Sequence, residues 1–184
     1  MFRKSLIIWT LGVTVLIPPA QAQAALDGDE KLACEALLCL AASTRPAECV
    51  PSIRKYFSIS FRLFKDTLRG RLNFLNLCPV VTLPHMQSFK NALVNGAGRC
   101  DAASINQANY QGDMDSGFRV ENVMPSYCVA YFGNGLVQSG APVYVGEPQF
   151  GGHWVEAKDY AVALQEYTAM RARQAAQAVS ADQP

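Results

Sequence analysis

Six cysteines are the residues of this chain best able to do chemistry, and they occupy positions 34, 39, 49, 78, 100 and 128. A zinc site usually takes cysteine or histidine ligands in two close pairs, each about two to four residues apart. Cys34 and Cys39 have four residues between them, but the remaining cysteines form no second pair. His85 and His153 are the only histidines. The spacing therefore argues against a metal site, and we expect no cofactor.

A catalytic thiol is the alternative use of a cysteine. Papain-like enzymes combine a cysteine at the start of a helix with a histidine that comes later in the chain. Cys34 precedes His153, and Cys128 lies near a predicted helix start, so the order of the residues permits this chemistry. Cys34, however, falls inside a predicted helix and not in a first turn, where the helix dipole lowers a thiol pKa. No residue stands out to orient His153, so we expect that the protein is not an enzyme.

The first 22 residues have the layout of a secretory signal peptide. Arg3 and Lys4 are followed by an apolar run to Ile17, and Ala20-Gln21-Ala22 is a small-x-small exit. The run is shorter than the roughly 20 apolar residues that a membrane span needs. We therefore expect cleavage near Ala22, no transmembrane anchor afterwards and a periplasmic location.

The chain left after cleavage has about 160 residues, which suits one domain with a substantial core. Loss of Arg3 and Lys4 turns 16 basic and 15 acidic residues into 14 and 15, a net charge of −1. A near-neutral chain has no bulk attraction to nucleic acid, so we expect no nucleic-acid partner. We assign residues 23–173 to this single domain and residues 174–184, AAQAVSADQP with its flanking glutamine, to a disordered tail.

An even number of cysteines in an exported chain favours disulfides. Six cysteines allow fifteen pairings, and the sequence pattern does not choose among them. We favour Cys39–Cys49, Cys34–Cys78 and Cys100–Cys128. The first pair has a physical argument, because Cys39 and Cys49 flank the corner of a predicted helical hairpin. Cys34 and Cys39 point in different directions on one helix and are expected to bind separate partners.

Hydrophobic spacing predicts a mainly α fold with a small β-hairpin, a compact α+β domain stapled by disulfides. Leu32, Ala33, Ala36, Leu37, Leu40 and Ala41 recur at helical spacing. Further helices are expected over 46–56, after Asp66, over 84–94, over 101–110, after Pro125 and over 157–173. Alternation over 57–63 indicates an extended segment or a helix end, 111–117 is expected to be a loop, and 118–123 is expected to be extended. Residues 143–145 and 153–155 are expected to form the hairpin.

Five strings of the chain are unusual, namely ACEALLCL, TRPAEC, NFLNLCP, PSYC and GGHWVEAKDY. They resemble the TrbM/KikA family of conjugal transfer proteins, and the resemblance extends from about Leu32 to Tyr167. It implies a periplasmic accessory of the type IV secretion, or mating-pair formation, apparatus of bacterial conjugation and plasmid transfer. The expected partners are components of that apparatus or of the cell envelope. It implies no catalytic or cofactor residues, and it implies that the six cysteines are bridge positions.

Two groups of residues are candidates for partner contact. Six cations lie within residues 54–71 against one acid, Asp66, and could meet an acidic partner, anionic lipid headgroups or the cell wall; they are Arg54, Lys55, Arg62, Lys65, Arg69 and Arg71. The alternative is a solvated helix face. Aromatic residues crowd the last third, where most are expected in the core, and Phe150 and Trp154 near the hairpin are our candidate anchors.

An envelope hydrolase acting on peptidoglycan is the alternative function, since a machine that spans the envelope needs gaps in the cell wall. A glycosidase needs two carboxylates about 5 to 9.5 Å apart, one of them in an apolar pocket. Glu35 is the one acid within a strongly apolar predicted helix. No second acid can be paired with it from the sequence, so we rank binding above hydrolysis.

Overall fold

The computed structural model describes residues 27–79, 85–114 and 117–181, which contain seven α-helices and four short strands. The helices are α1 Gly28–Ala41, α2 Val50–Ser58, α3 Phe64–Leu75, α4 Met86–Gly96, α5 Ala102–Ala108, α6 Ser126–Phe132 and α7 Tyr160–Ala181. The strands are β1 Tyr110–Asp113, β2 Gly117–Val120, β3 Val143–Val145 and β4 His153–Val155. The predicted fold class, mainly α with a small β component, is confirmed.

Helix α1 forms the middle of the core and packs against α2, α3 and α4. Its buried side chains, Ala33, Ala36, Leu37 and Leu40, recur at the spacing of one helix face. Tyr131 on α6 closes the end of α1 by donating a hydrogen bond from its hydroxyl to Leu40 O at 2.8 Å, which occupies one of the carbonyls that a helix end leaves unpaired.

Helices α4 and α6 approach each other closely. A Cβ at Gly96 would lie 2.5 Å from the Cβ of Tyr131, so only glycine fits at this contact. The predicted helix start at Pro84 lies outside the described residues, and α4 begins at Met86.

Three disulfides connect the helices, and all six cysteines take part. Cys39–Cys49 crosses the corner between α1 and α2, and Cys34–Cys78 joins α1 to the turn after α3. Cys100–Cys128 joins the α4–α5 connection to α6. These are the three pairs that the sequence analysis favours. Helix α1 is therefore linked by two disulfides, each to a different segment of the chain.

The strands form two antiparallel hairpins, where the sequence analysis predicted one. Val143–Val145 and His153–Val155 pair as predicted, with Tyr144 opposite Trp154. Residues 111–117 were expected to be a loop, but Tyr110–Asp113 pairs with Gly117–Val120. Glycine and acidic residues hide this hairpin from pattern analysis. Its strands are joined on one face by stacked Tyr110 and Phe118 rings with centroids 5.4 Å apart.

The expectation of an extended segment over 57–63 holds only in part. Helix α2 continues through Ser58, and residues 59–63 connect it to α3 without pairing as a strand. The helix expected after Asp66 begins earlier, at Phe64, so Asp66 lies in its first turn. The apolar alternation arises because Phe57 and Ile59 are partly buried whereas Phe61 and Leu63 point outward.

The predicted disordered tail is wrong over residues 174–181, because α7 runs to Ala181. The helix is already nucleated where Ala163 and Tyr167 pack against the body, and the alanine- and glutamine-rich continuation has high helix propensity. Residues 172–180 are exposed, so this extension has little tertiary support. The predicted signal peptide, residues 1–22, lies outside the described residues. Within the described ranges, no helix combines the length and apolar character that crossing a membrane requires.

Tyr56 on α2 is a buried polar residue at the centre of this helical layer. Its side chain is fully buried, the Arg71 guanidinium lies 5.0 Å from its ring centroid, and its hydroxyl has no hydrogen-bond partner among the described residues. Burial raises the pKa of Tyr56 to about 12, although the neighbouring Arg71 acts to lower it. The folded state thus favours the neutral phenol.

Removing single disulfides should destabilise the protein by amounts that follow loop length. The Cys34–Cys78 bridge spans a sequence separation of 44 and the Cys39–Cys49 bridge a separation of 10. The chain-entropy relation gives a loss of about 4 kcal/mol for the long loop and about 3 kcal/mol for the short one. Paired cysteine-to-alanine variants, compared by urea unfolding, measure both values. The opposite order would show that loop entropy does not govern their contribution.

Replacing Tyr56 by phenylalanine should change the alkaline stability of the protein. Because the folded-state pKa of Tyr56 is raised, its stabilising effect is present below the unfolded pKa of about 10 and is lost as pH rises toward about 12, by about 3 kcal/mol at most. Tyr56→Phe should lie within about 1 kcal/mol of the wild type at neutral pH, since it removes a hydroxyl without a partner. Its free energy of unfolding should also decrease less steeply than that of the wild type between about pH 10 and 12.

Urea unfolding across this pH range gives the comparison. Tyr160→Phe, at an exposed tyrosine, is the matched control and should keep the wild-type pH dependence. An unchanged alkaline slope in Tyr56→Phe would contradict the expected role of the buried phenol.

Candidate binding surface

The groups proposed for thiol chemistry are not arranged for it. Cys34 is bonded to Cys78, so no sulfur is available to act as a nucleophile in this state. His153 on β4 has its Nδ1 3.2 Å from the carbonyl oxygen of Gly151, in its own hairpin. Among the described residues, no group of three or more histidine, cysteine, aspartate or glutamate side chains could hold a metal ion.

Glu35, the candidate acid for wall hydrolysis, lies on the flank of α1. Its side chain is about one-third exposed, and its Oε1 lies 3.9 Å from Lys31 Nζ in a loose pair one helical turn away. A general acid of a glycosidase needs an apolar pocket that keeps its carboxyl protonated. The position of Glu35 therefore gives no support to the hydrolase alternative.

The connection between α2 and α3 is held against α3 by hydrogen bonds. We call residues 59–65, which contain FRLFK, the tip. Thr67 on α3 accepts a hydrogen bond from the Phe61 backbone N–H at 2.9 Å. Its one hydroxyl hydrogen lies within reach of two carbonyl oxygens, Phe61 O at 3.3 Å and Leu63 O at 3.5 Å. Arg71 Nε donates to Ile59 O at 3.2 Å. Backbone groups of the tip are thus held by side chains of α3.

The Phe61 ring packs directly on Gly70 of α3. A Cβ at this position would lie 2.6 Å from Phe61 Cε2 and 2.9 Å from Ile59 Cγ2. A glycine inside a helix is ordinarily destabilising, but here it lets the tip lie directly on α3. The tip conformation therefore depends on a missing side chain.

Three large apolar side chains of the tip face solvent. Phe61 is 57% exposed, Leu63 51% and Phe64 51%, although neighbouring segments of the chain bury most residues of these types. Their exposure was not predicted from the sequence, because their alternation with polar residues looks like a half-buried strand. The direct placement of apolar residues between Arg62 and Lys65 was the signal that could have identified them.

Phe64 also contacts the α4–α5 connection. The Arg99 guanidinium lies 4.7 Å from the Phe64 ring centroid and 3.9 Å from that of Tyr127 on α6. Arg99 also donates to Asn95 O at the end of α4 at 2.9 Å. This stacking fixes one side of the tip to the body of the protein.

The six predicted contact cations have different surroundings. Arg62 and Lys65 are exposed and, within the described part of the chain, form no salt bridge, while Arg69 is exposed and lies 3.7 Å from Asp66. Lys55 pairs with Asp29 at 3.0 Å, and Arg54 is exposed on α2.

Arg71 has a structural position. Its guanidinium lies over the Tyr56 and Phe57 rings at 5.0 and 5.1 Å, and its Nε binds Ile59 O. Arg62, Lys65 and Arg69 are therefore the cations that share the exposed tip.

Trp154 is a core residue, which corrects its assignment as a partner anchor. It is 7% exposed, and its indole N–H donates to Glu121 O at 3.0 Å. The Asn106 side chain accepts from Trp154 N at 2.7 Å and donates to Trp154 O at 2.8 Å, so one amide pairs with β4 as a neighbouring strand would. A large ring with a polar N–H is well suited to this buried site, and it leaves little surface for a partner.

Phe150 remains available at the surface. It is 39% exposed, and the Arg171 guanidinium of α7 lies 3.7 Å from its ring centroid. This contact anchors α7 to the turn between β3 and β4. Partner contact through Phe150 stays a prediction.

A polar groove of about 380 Å³ lies beside the end of α1. Its charged groups already serve the fold: Arg45 donates to Cys39 O at 3.3 Å, and Glu156 accepts from Ala102 N at 2.8 Å. Asp101 caps α5, with its carboxylate accepting from Ser104 N at 2.9 Å. Burial acts to raise the pKa of Asp101, but the hydrogen bonds from Ser104 outweigh it and hold the pKa below its usual range. The charged groups of the groove therefore connect elements of the fold, and they are not left available for a ligand.

Thr67→Val should release the tip while nearly conserving side-chain volume. The substitution removes the acceptor of the Phe61 N–H, and the loss of such a bond to a buried group costs about 1 to 2 kcal/mol. Amide hydrogen exchange should become faster at Phe61 and stay unchanged in α1. Thr168→Val, at an exposed threonine of α7, is the matched control. Unaltered exchange at Phe61 would show that Thr67 does not hold the tip.

Comparison with known proteins gives one result at the level of the family. The TrbM family model matches residues 25–168, which include all six cysteines, the tip and both hairpins. A search of curated proteins found no match, and a search of solved structures found none either. The match extends over most of the chain and agrees with the resemblance carried by the cysteine-containing strings. The chain belongs to the TrbM family of conjugal transfer proteins.

Proposed function

We propose that this TrbM protein is a periplasmic accessory of a bacterial conjugation apparatus, the type IV secretion machinery of mating-pair formation, and that it acts by binding. The observation that carries the proposal is the engagement of every cysteine in a disulfide within a conjugal transfer family. Disulfides form and persist outside the reducing cytoplasm. The expected signal peptide supports the same compartment.

Binding is favoured over catalysis by the distribution of reactive and exposed groups. The thiols are oxidised, and Glu35 lies at a solvated flank. In contrast, the tip presents three exposed apolar side chains beside exposed cations on a backbone held by α3. A pre-ordered surface of this kind loses little conformational entropy when it binds. Its partners on this proposal are components of the conjugative apparatus or of the cell envelope.

The compartment is tested by expressing the chain with and without residues 1–22 in donor cells that lack the gene. The full chain should be recovered from the periplasmic fraction with six oxidised cysteines and should restore plasmid transfer. The chain without residues 1–22 should stay in the cytosol and fail to restore transfer. Restoration by the cytosolic form at equal abundance would overturn the periplasmic role.

Binding and catalysis are separated by substitutions in the same donor strain. Glu35→Gln and His153→Ala should transfer plasmid at the wild-type frequency, because neither residue belongs to the proposed contact surface. Arg62→Glu combined with Arg69→Glu should reduce transfer at least about ten-fold, since two charge reversals oppose an electrostatically matched partner. Arg173→Glu, on the exposed end of α7, is the charge-matched control. Loss of transfer in Glu35→Gln at normal abundance would favour the envelope hydrolase instead.

A further inference from the structure

The tip exposes large apolar side chains next to cationic side chains, and the two are rarely exposed together. Phe61, Leu63 and Phe64 are each more than half exposed within four residues of sequence, and the remaining residue of that stretch is Arg62. Exposed apolar clusters bordered by polar residues commonly mark an interaction site. The three side chains do not line the polar groove beside α1. They lie in and directly after the connection between α2 and α3, where their side chains are open to solvent.

Charge complementarity identifies the kind of surface that the tip fits. Arg62 and Lys65 alternate with the apolar residues along the chain, Arg69 follows one helical turn later, and Asp66, the one acid of residues 54–71, is paired with Arg69 at 3.7 Å. Lys65 and Arg69 are four residues apart on α3 and therefore share its outward face. Apolar side chains flanked by cations match a bilayer whose acyl chains lie beneath anionic headgroups.

The chain holds the tip in one conformation before any partner arrives. Thr67 binds the Phe61 backbone, Arg71 binds Ile59 O, and the Phe61 ring lies on Gly70. A peripheral contact with few inserting side chains is weak, so ordering of the tip before binding matters for its affinity. This geometry distinguishes the tip from a mobile loop whose apolar residues are only incidentally exposed.

We propose that the tip docks on an anionic phospholipid surface, with Leu63, Phe61 and Phe64 entering the headgroup region and Arg62, Lys65 and Arg69 contacting lipid phosphates. The proposal deepens the binding role given above and rests on it only for the compartment in which the protein would meet the membrane. An acidic protein is the competing partner. The interleaving of exposed apolar side chains with exposed cations favours lipid, because an anionic bilayer offers acyl chains directly beneath its phosphates.

The size of the effect follows from the charges. Each cation near an anionic bilayer increases affinity by about five-fold, so neutralising two should lower it by about twenty-fold. Binding should also weaken as salt rises, because the headgroup attraction is screened. Removal of one inserting aliphatic side chain should lower affinity by about four-fold.

The test uses the chain from residue 23 onward, oxidised, in co-sedimentation with vesicles. One set contains phosphatidylcholine alone, and the other an equimolar mixture of phosphatidylcholine and phosphatidylglycerol. The wild type should bind the mixed vesicles, bind them less at high salt, and bind the neutral vesicles weakly. Leu63→Ser and the double variant Arg62→Gln with Lys65→Gln should reduce binding to mixed vesicles by the amounts given above.

Matched controls separate the tip from general exposure. Val162→Ser removes a 61% exposed apolar side chain of α7, and Arg173→Gln removes an exposed cation; both should bind as the wild type does. Leu63→Ser is a safe structural change, because residue 63 is the N-cap of α3 and serine is a preferred N-cap residue. Unfolding in urea confirms that each variant is folded.

Two results would overturn the lipid proposal. One is wild-type binding that is equally strong to mixed and to neutral vesicles, or a loss of binding in the control variants as large as the loss in the tip variants. The other is absence of binding of the folded, oxidised wild type to mixed vesicles; cross-linking from position 63 to an acidic protein of the donor envelope would then identify the competing partner. Neither result depends on plasmid transfer, so a lipid failure and a failure of the conjugation role remain distinguishable.

Discussion

The double anchoring of α1 is the constraint on which the rest of the structure depends. Cys34 and Cys39 leave this helix in different directions, one toward the turn after α3 and the other toward the start of α2. On the same helix, the small buried side chains of Ala33 and Ala36 let neighbouring helices approach closely. A domain of this size has a modest core, and covalent links reduce the entropy of the competing unfolded chain. Helices α2 and α3 are thereby fixed relative to each other through a helix that lies between them.

The exposed tip follows from this arrangement. Because α2 and α3 are both tied to α1, the short connection between them has little freedom, and its polar backbone is satisfied by Thr67 and Arg71. Arg71 also covers the Tyr56 ring, so one side chain links the buried layer to the projecting segment. Rigidity at the surface is thus a consequence of packing below it. The apolar residues of the tip stay exposed because their neighbours already fill the core.

The parts of this structure that were predicted from the sequence are those in which a local signal and the tertiary fold agree. The stripe on α1, the corner at Cys39 and Cys49, and the short helix after Asp101 each have a short-range cause. The β1–β2 hairpin was missed, because its glycines and acids resemble a loop and its support comes from stacked rings. The extension of α7 was missed for a different reason: low apolar content was taken as disorder, although helix propensity alone can prolong a nucleated helix.

The candidate surface was predicted in part. Charge counting found the cations of residues 54–71 but could not separate Arg71, which stacks on aromatic rings, from Arg62 and Lys65, which remain exposed. Aromatic content similarly identified Trp154, yet its hydrogen bonds to Asn106 and Glu121 place it in the core. Burial depends on contacts between residues 48 positions apart in the chain, which no local pattern reports.

The connectivity of the bridges has a consequence for biogenesis. Cys39–Cys49 lies inside the loop that Cys34–Cys78 closes, so the native pairs do not follow the order of the cysteines along the chain. On the proposed export route, a chain that crosses the membrane N-terminus first exposes Cys34 and Cys39 before Cys78 has emerged. Joining thiols in order of arrival would trap a non-native link, which only thiol–disulfide exchange can resolve. On that route, thiol–disulfide exchange is the step that would bring these cysteines to their nested native pairing.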